Sequence, residues 1–166
     1  MISTVIYKSQ TGSCKKIAEE LSAELHIPAK PMKFLTRAKG KVIYVGWTFA
    51  GGIVGLKKAL KNYDVAAVVQ VGMGPASAES ADFARKKNNI PENISVFGKQ
   101  GGFNINKLPL PQKLIMKLKN KEIAHGLRKK AQLSDQERAL LNMAVNGVGE
   151  PADWDVSSIV KWAAEN

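Results

Sequence analysis

Four short runs of apolar residues recur along the chain and predict buried strands. They are Ile2 to Tyr7, Val42 to Val45, Val65 to Val71 and Ile94 to Phe97. Because these runs are largely continuous rather than alternating with polar residues, both faces of each strand should be covered, as in a parallel sheet between helices. A weaker run from Ala29 to Leu35 contains Pro31, which suits only an edge strand.

Amphipathic patterns lie between these runs. Apolar residues at helical spacing, which would present one stripe to a sheet, begin at Ile17 and again at Ile53. Further along, Ser134 and Glu137 have the spacing of a capping box, and Val156 to Ala163 defines a last helix. The alternation of strands and helices predicts βαβ units, and we expect a single α/β domain over residues 1–166.

The loops after the first, third, fourth and fifth strands counted along the chain would all open at the carboxyl edge of the sheet. Open α/β sheets bind their ligands at this edge. The glycines concentrated in those loops are Gly12, Gly46, Gly51, Gly52, Gly72, Gly74, Gly98, Gly101 and Gly102. The sequence therefore predicts a ligand site there.

The first of these loops has the composition of an anion site. Ser9-Gln10-Thr11-Gly12-Ser13-Cys14 combines three hydroxyls, a glycine and the start of a helix. Free backbone N–H groups and the positive end of the helix dipole can receive a phosphate there without a lysine. The alternative is an ordinary turn in which Ser9 or Thr11 caps the helix. The density of small polar residues favours the phosphate site.

Other phosphate-binding motifs are excluded by spacing or chemistry. The segment Gly51 to Lys57 lacks the Gly-Lys-Ser/Thr ending of a P-loop. Gly72-Met73-Gly74-Pro75-Ala76-Ser77 has a serine where a dinucleotide fingerprint has its third glycine, and it follows the fourth strand rather than the first. The first arginine after Cys14 is Arg37, so no cation closes a phosphatase loop around this thiol. We interpret Cys14 as a small loop residue.

The first loop resembles the phosphate loop of flavodoxins, whose pattern is Ser/Thr-x-Thr-Gly-x-Thr, except that Cys14 replaces the last hydroxyl. Gly46-Trp47-Thr48-Phe49-Ala50-Gly51-Gly52 is similar to the second flavin loop of that fold, and Gly72-Met73-Gly74 to the third. The chain also resembles the flavodoxin-domain branch related to menaquinone-dependent protoporphyrinogen oxidase. That resemblance lies in Gly101-Gly102-Phe103, Leu114-Ile115-Met116 and Asp153-Trp154-Asp155.

The resemblance implies a flavodoxin-like three-layer sandwich with a five-stranded parallel sheet of order 2-1-3-4-5, and FMN as the cofactor. It also implies that the phosphate lies on the first loop, and that Trp47 or Phe49 either flanks the flavin ring or packs in the protein. The flavin itself performs the redox chemistry, so no catalytic residue is required. The implied cofactor-binding residues are Ser9, Gln10, Thr11, Gly12, Ser13, Cys14, Trp47, Thr48, Phe49, Ala50, Gly51, Gly52, Gly72, Met73, Gly74 and Pro75.

The implied function is electron transfer by an FMN-dependent oxidoreductase, either to a partner protein or to a small molecule such as a quinone-like or porphyrin-related compound. The alternative is a non-catalytic α/β binding module that contacts an acidic partner. A receiver-like module is excluded, because Lys8, Ser9 and Gly46 stand where a receiver needs acidic residues.

The net charge of +11 is unevenly distributed, since Lys99 to Lys130 contains nine basic residues and one acid, Glu122. This segment predicts a basic surface, which is either a solvated face or a contact for an acidic partner. Only Phe103 lies among these basic residues for base stacking, so nucleic acid is not an expected partner.

Membrane contact is a further alternative. Lys113, Lys117 and Lys121 beside Leu110, Leu114 and Leu118 could rest on a membrane surface, but we favour a solvated lysine face over a packed leucine row. No apolar run approaches the roughly 18 residues that cross a bilayer. Met1 to Tyr7 enters a strand pattern directly, without a basic region and cleavage site, and the single cysteine forms no internal disulfide. We expect a cytoplasmic protein.

Overall fold

A computed structural model describes residues 1–34 and 37–166 of the chain. The strands are β1 (Ile2–Lys8), β2 (Ala29–Pro31), β3 (Lys41–Phe49), β4 (Gly52–Ile53), β5 (Val65–Gly72), β6 (Ser95–Gln100), β7 (Phe103–Asn104) and β8 (Val148–Gly149). The helices are α1 (Ser13–Leu25), α2 (Leu56–Asn62), α3 (Ala78–Asn88), α4 (Leu110–Arg128), α5 (Asp135–Asn146) and α6 (Ser157–Ala164). Short 3-10 segments cover Met32–Phe34 and Ile105–Lys107.

The central sheet has six strands. Its parallel strands follow the order β2-β1-β3-β5-β6, and β4 pairs antiparallel with β3. The predicted sheet of five parallel strands in the order 2-1-3-4-5 is therefore wrong in strand count, and with β4 numbered the order is 2-1-3-5-6 instead. The reason is the segment after β3, which was expected to be a loop. It folds back as a hairpin strand, and this extra strand shifts the numbering of the strands that follow.

The edge position of β2 is confirmed, because β2 pairs with β1 alone. This strand is shorter than predicted. After Pro31 the chain turns into the 3-10 segment Met32–Phe34, and Leu35, the predicted end of the strand, lies outside the described residues. The proline therefore ends the pairing, as expected for a residue that has no N–H to donate.

Both faces of the central sheet are buried. Val5 belongs to the apolar cluster on one face and Ile6 to the cluster on the other, as the two-residue period of a strand requires. On the first face lie α1 and α6, through Ile17, Leu21 and Ile159. On the second face lie α2 and α3, through Leu56, Ala59 and Ala84. The predicted α/β fold, with a mostly parallel sheet between helices, is confirmed.

Two further helices, α4 and α5, follow β6 and pack against each other. The predicted capping box at the start of α5 is confirmed. Ser134 Oγ accepts the Glu137 N–H at 3.1 Å, and Glu137 Oε2 accepts the Ser134 N–H at 2.9 Å. A hydrogen bond from Lys130 is the main cause that lowers the pKa of Glu137. Within the described ranges, no helix has both the length and the apolar character that crossing a bilayer demands.

The hairpin between β3 and β4 closes with a two-residue turn. Phe49 pairs with Gly52, and the intervening Ala50 and Gly51 have φ values of 50° and 80°. Positive φ at both central residues is the geometry of a type I′ turn, which favours Asn-Gly. Alanine is disfavoured in this region because its Cβ crowds the backbone.

We therefore expect Ala50→Asn to stabilise the protein by about 0.5–1 kcal/mol, since asparagine tolerates the left-handed conformation better than alanine. Urea denaturation followed by circular dichroism measures the change. Ala50→Val is the control, because a β-branched residue should destabilise the same turn. Equal midpoints for the two variants would contradict the turn assignment.

Candidate functional site

The carboxyl ends of β1, β3 and β5 surround a small cavity of about 80 Å³. Two residues from beyond the sheet, Leu108 and Met116, close part of it. Most of the predicted site residues meet here, although they come from three separate segments of the chain. They are Ser9, Gln10, Thr11, Ser13, Cys14, Trp47, Thr48, Phe49, Gly72 and Met73.

The remaining predicted residues lie outside the lining of this cavity. Gly12 lines a neighbouring groove on the other side of the turn that follows β1. Ala50, Gly51 and Gly52 form the hairpin, and Gly74 and Pro75 lie further along the loop after β5. Trp47, Thr48 and Phe49 belong to β3 rather than to a loop, because the hairpin extends the strand past its predicted end.

Other lining residues were not among the predicted site residues. They are Val71, Gly101, Gly102, Phe103, Leu108 and Met116. Two signals in the sequence pointed to this wall of the cavity: the glycine pair after β6, and the family resemblance that includes Phe103 and Met116. Neither marked the apolar residues of this wall as part of a site, because an apolar residue near a helix start has the same appearance whether it faces a core or a ligand.

The turn after β1 leaves the start of α1 open. Gly12 is the N-cap residue, with a φ of 111°, and no side chain in the described part of the chain caps the helix. Ser9 Oγ accepts the Gly12 N–H at 3.2 Å, which is not a cap on the first helical turn. The alternative in which Ser9 or Thr11 caps the helix is therefore wrong. The first N–H groups of a helix lack intrahelical partners, so this turn can donate to an anion.

Cys14 lies in the first turn of α1 rather than in a loop, and it is buried against the sheet. Only 1% of its surface is exposed, and this burial raises the pKa of the thiol to about 12. The thiol is therefore neutral at physiological pH. Its place in the site is that of a small, buried residue in the first turn of the helix.

The aromatic wall of the cavity consists of Trp47 and Phe49, whose ring centroids are 5.9 Å apart. Trp47 Nε1 is buried and has no hydrogen-bond partner among the described residues. A buried donor without an acceptor is unfavourable and uncommon in native proteins. Thr48, between them, donates from Oγ1 to Gln70 Oε1 at 2.7 Å and is thus held in place by β5.

The glycines after β6 allow this loop to approach the turn after β1. A Cβ at Gly101 would lie 2.5 Å from Val71 Cγ1 and 3.0 Å from Ser13 Cβ. Ser13 Oγ donates to the Gly102 carbonyl at 2.8 Å, and the Gly101 N–H donates to the Gly72 carbonyl at 2.8 Å. This loop is therefore bound to both of the others that form the cavity.

Gln100 anchors the same region and was missed by sequence reasoning. Its side chain is buried, and Nε2 donates to the carbonyls of Met73 and Gln136 at 2.9 and 2.8 Å. Its Oε1 accepts the Ala152 N–H at 3.2 Å. One side chain thus connects β6 to the loop after β5, to α5 and to the segment before α6.

The exposed face of α4 differs from the prediction. Leu110, Leu114 and Leu118 are 70%, 56% and 67% exposed, so the packed leucine row is wrong. The helix buries Asn120 and Ala124 instead. The buried face was hard to recognise because it contains a polar residue, while the regular leucine row lies in solvent.

Comparison with known proteins found no family model that matches this chain and no curated protein that matches it. The fold and the cavity by themselves define an α/β protein with a candidate ligand site at the carboxyl edge of a parallel sheet. The nature of the ligand is therefore argued from the chemistry of the lining residues.

Gly101→Ala should destabilise the protein by about 1–3 kcal/mol, because the added methyl group overlaps Val71 and Ser13. Gly126→Ala in α4 is the matched control. Among the described residues, apart from its chain neighbours and its own helix backbone, nothing lies within 4 Å of its Cβ position, and alanine there should stabilise the helix by up to about 1 kcal/mol. Chemical denaturation of both variants tests the contact, and equal stability of Gly101→Ala and the unmodified protein would disprove it.

The Cys14 thiol should react very slowly with Ellman's reagent in the native protein at pH 8. A pKa of about 12 leaves a thiolate fraction on the order of 10⁻⁴, against roughly a quarter for an ordinary cysteine. Absorbance of the released dye gives the rate, and the same measurement in denaturant is the control. Comparable rates in the two conditions would show that the thiol is accessible.

Proposed function

We propose that this protein is a flavodoxin-like FMN-binding protein that transfers electrons, with the flavin held at the carboxyl edge of the sheet. One observation carries the proposal: an uncapped helix N-terminus beside an aromatic cavity lined by Trp47, whose buried indole N–H has no partner among the described residues. The strand order supports it as well. Counted without the hairpin strand β4, the parallel strands have the order 2-1-3-4-5, which is one of the common doubly wound arrangements.

The turn after β1 fits a phosphate. The backbone N–H groups at the start of α1 and the helix dipole both favour an anion. Thr11 adds a hydroxyl, and Lys107 Nζ lies 3.4 Å from the Thr11 carbonyl and adds positive charge. Cys14 supplies a backbone N–H in place of the hydroxyl that the flavodoxin pattern has.

The cavity wall fits a flavin ring. Trp47 Nε1 lacks an acceptor, and the ring system of a flavin carries several acceptor atoms along one edge. Trp47 and Phe49 offer aromatic faces, which is favourable for contact with a planar ring. Gly72 presents backbone without a side chain, so a ring can approach it closely. In the described part of the chain, apart from its two neighbours, a Cβ there would meet nothing within 4 Å.

The size of the cavity adds one requirement. About 80 Å³ is below the roughly 300 Å³ at which ligand pockets begin. Leu108 and Met116 are among the residues that line it, so binding a three-ring system requires lining side chains such as these to change rotamer. Methionine is well suited to such a change because its side chain is unbranched and flexible.

In this function the residues bind and orient the cofactor, and the flavin supplies the redox chemistry when bound. No acid or base of the chain is assigned a catalytic role. The electron acceptor is a partner protein or a small molecule of the quinone or porphyrin type, as the family resemblance implies.

A second candidate function is supported by α4. Three exposed leucines stand beside Lys113, Lys117 and Lys121, which makes a mixed apolar and basic surface. Such a surface is complementary to an acidic partner protein. It serves either as the docking face for a redox partner or, without any flavin, as the binding face of a non-catalytic module.

Titration with FMN, followed by quenching of tryptophan fluorescence and by calorimetry, tests the proposal. We expect FMN to bind, and Thr11→Val to weaken its affinity by about 10- to 100-fold, since a hydrogen bond to a charged group contributes about 1.5–3 kcal/mol.

Riboflavin, which lacks the phosphate, is the control ligand. Its weaker affinity should be the same for Thr11→Val and the unmodified protein, because Thr11 is assigned to the phosphate. If neither flavin binds, the proposal is wrong, and the α4 surface remains the candidate for a binding module.

A further inference from the structure

A second concave region lies on the opposite side of the turn that follows β1. It is a groove of about 570 Å³, several times larger than the aromatic cavity. The turn residues Ser9, Gln10 and Thr11 line both. The rest of the groove comes from the 3-10 segment after β2, from α2, and from the lysines beside the turn. We call it the basic groove.

The charge of the basic groove is of one sign. Five lysines line it, and none of the described lining residues is acidic. Lys15 forms an ion pair with Glu19 at 3.6 Å, and Lys107 lies near the Thr11 carbonyl. The other three have no carboxylate within 4.0 Å in residues 1–34 and 37–166; they are Lys8, Lys33 and Lys58. Unpaired cations around one concavity attract an anion.

One of these lysines is held in place beside the backbone of Gly55. Gly55 has a φ of 87°, and a Cβ there would lie 3.0 Å from Lys8 Cδ and 3.1 Å from Met32 Cε. The stem of Lys8 therefore packs against the backbone at Gly55. Packing of this kind reduces the entropy that a lysine loses when its ammonium group binds an anion.

An aromatic ring stands at the same groove. Phe34 is 72% exposed, and Lys33 Nζ lies 4.5 Å from its ring centroid. An exposed ring beside cationic groups is the arrangement that binds a nucleotide, because the base stacks on the ring while the phosphate pairs with the cations.

The strand order places the basic groove and the aromatic cavity on opposite sides of the turn after β1. β1 lies between β2 and β3, so the turn after β1 separates the aromatic cavity at β3 from the basic groove at β2. A flavin with its phosphate on this turn and its ring at Trp47 would reach the basic groove only through groups beyond that phosphate. FMN ends at its phosphate, whereas FAD continues with a second phosphate and adenosine.

We propose that the basic groove binds a nucleotide phosphate next to the flavin phosphate, an inference that rests on the proposed flavin site. The group that binds there is an adenosine phosphate, whose base stacks on Phe34 and whose phosphate pairs with Lys33 and Lys58. Two molecules could supply this group: FAD, through its adenylate half, or a separate adenine nucleotide bound beside FMN.

Calorimetric titrations with FMN, with FAD, and with ADP added to the FMN-loaded protein distinguish these sources. If the adenylate belongs to the cofactor, FAD should bind about tenfold or more tightly than FMN. If it belongs to a separate molecule, ADP should bind to the FMN-loaded protein, while FAD should show no advantage.

The Lys33→Gln/Lys58→Gln variant should abolish the FAD advantage or the ADP binding, while changing FMN affinity by less than about threefold. The matched control is Lys30→Gln/Lys57→Gln, which removes the same charge from neighbouring exposed positions outside the groove. Phe34→Ala should weaken the adenine nucleotide and leave FMN unchanged. Thermal melting confirms that the variants fold.

Two outcomes overturn the inference while FMN binding stands. One is that FAD binds no more tightly than FMN and ADP does not bind to the FMN-loaded protein. The other is that both lysine pairs reduce adenine nucleotide binding equally, which would indicate general charge rather than a site. Failure of the proposed function is a different result, because then neither FMN nor riboflavin would bind.

Discussion

The central parallel sheet is buried on both of its faces, and this constraint places most other features of the molecule. Helices α1 and α6 cover one face, and α2 and α3 cover the other. Each crossover returns the chain to the amino edge of the sheet before the next parallel strand begins. The carboxyl ends of the parallel strands therefore lie side by side at the other edge. The polar turn after β1, the aromatic end of β3 and the glycines after β5 come together for this reason. They are distant along the chain and share no local interaction.

Close backbone contact then determines the shape of the site. Gly101 permits the loop after β6 to lie against Val71 and Ser13, and Ser13 donates its hydroxyl to Gly102. Gln100 adds three hydrogen bonds that hold the neighbouring segments. Contacts between loops therefore hold the backbone on this side of the aromatic cavity, and the side chains of Leu108 and Met116 contribute to its lining.

The two regions that flank the turn after β1 differ in charge. No lysine is among the described residues that line the aromatic cavity, and the polar groups there include backbone N–H groups, hydroxyls, the Gln10 amide and the Trp47 indole. The basic groove on the other side is lined by lysines. A ligand that carries both a planar ring and phosphate groups is complementary to the pair of regions. The aromatic cavity suits the planar ring, and the basic groove suits the anionic groups.

Local patterns in the sequence determined the strand runs, the edge position of β2 at Pro31, the capping box at Ser134 and the polar turn Ser9 to Cys14. These features follow from backbone chemistry within a few residues, so a short window contains their cause.

Only the tertiary structure decided four other features: the hairpin strand β4, the helical position of Cys14, the exposed leucines of α4 and the role of Gln100. Each depends on which distant segment lies opposite: β3 offers an unpaired stretch to Gly52–Ile53, and the start of α1 is pressed against the sheet. Asn120 and Ala124 face the protein in place of the leucines. The basic groove likewise arises because the strand order sets β2 beside β1, and no single segment contains all the lysines that line it.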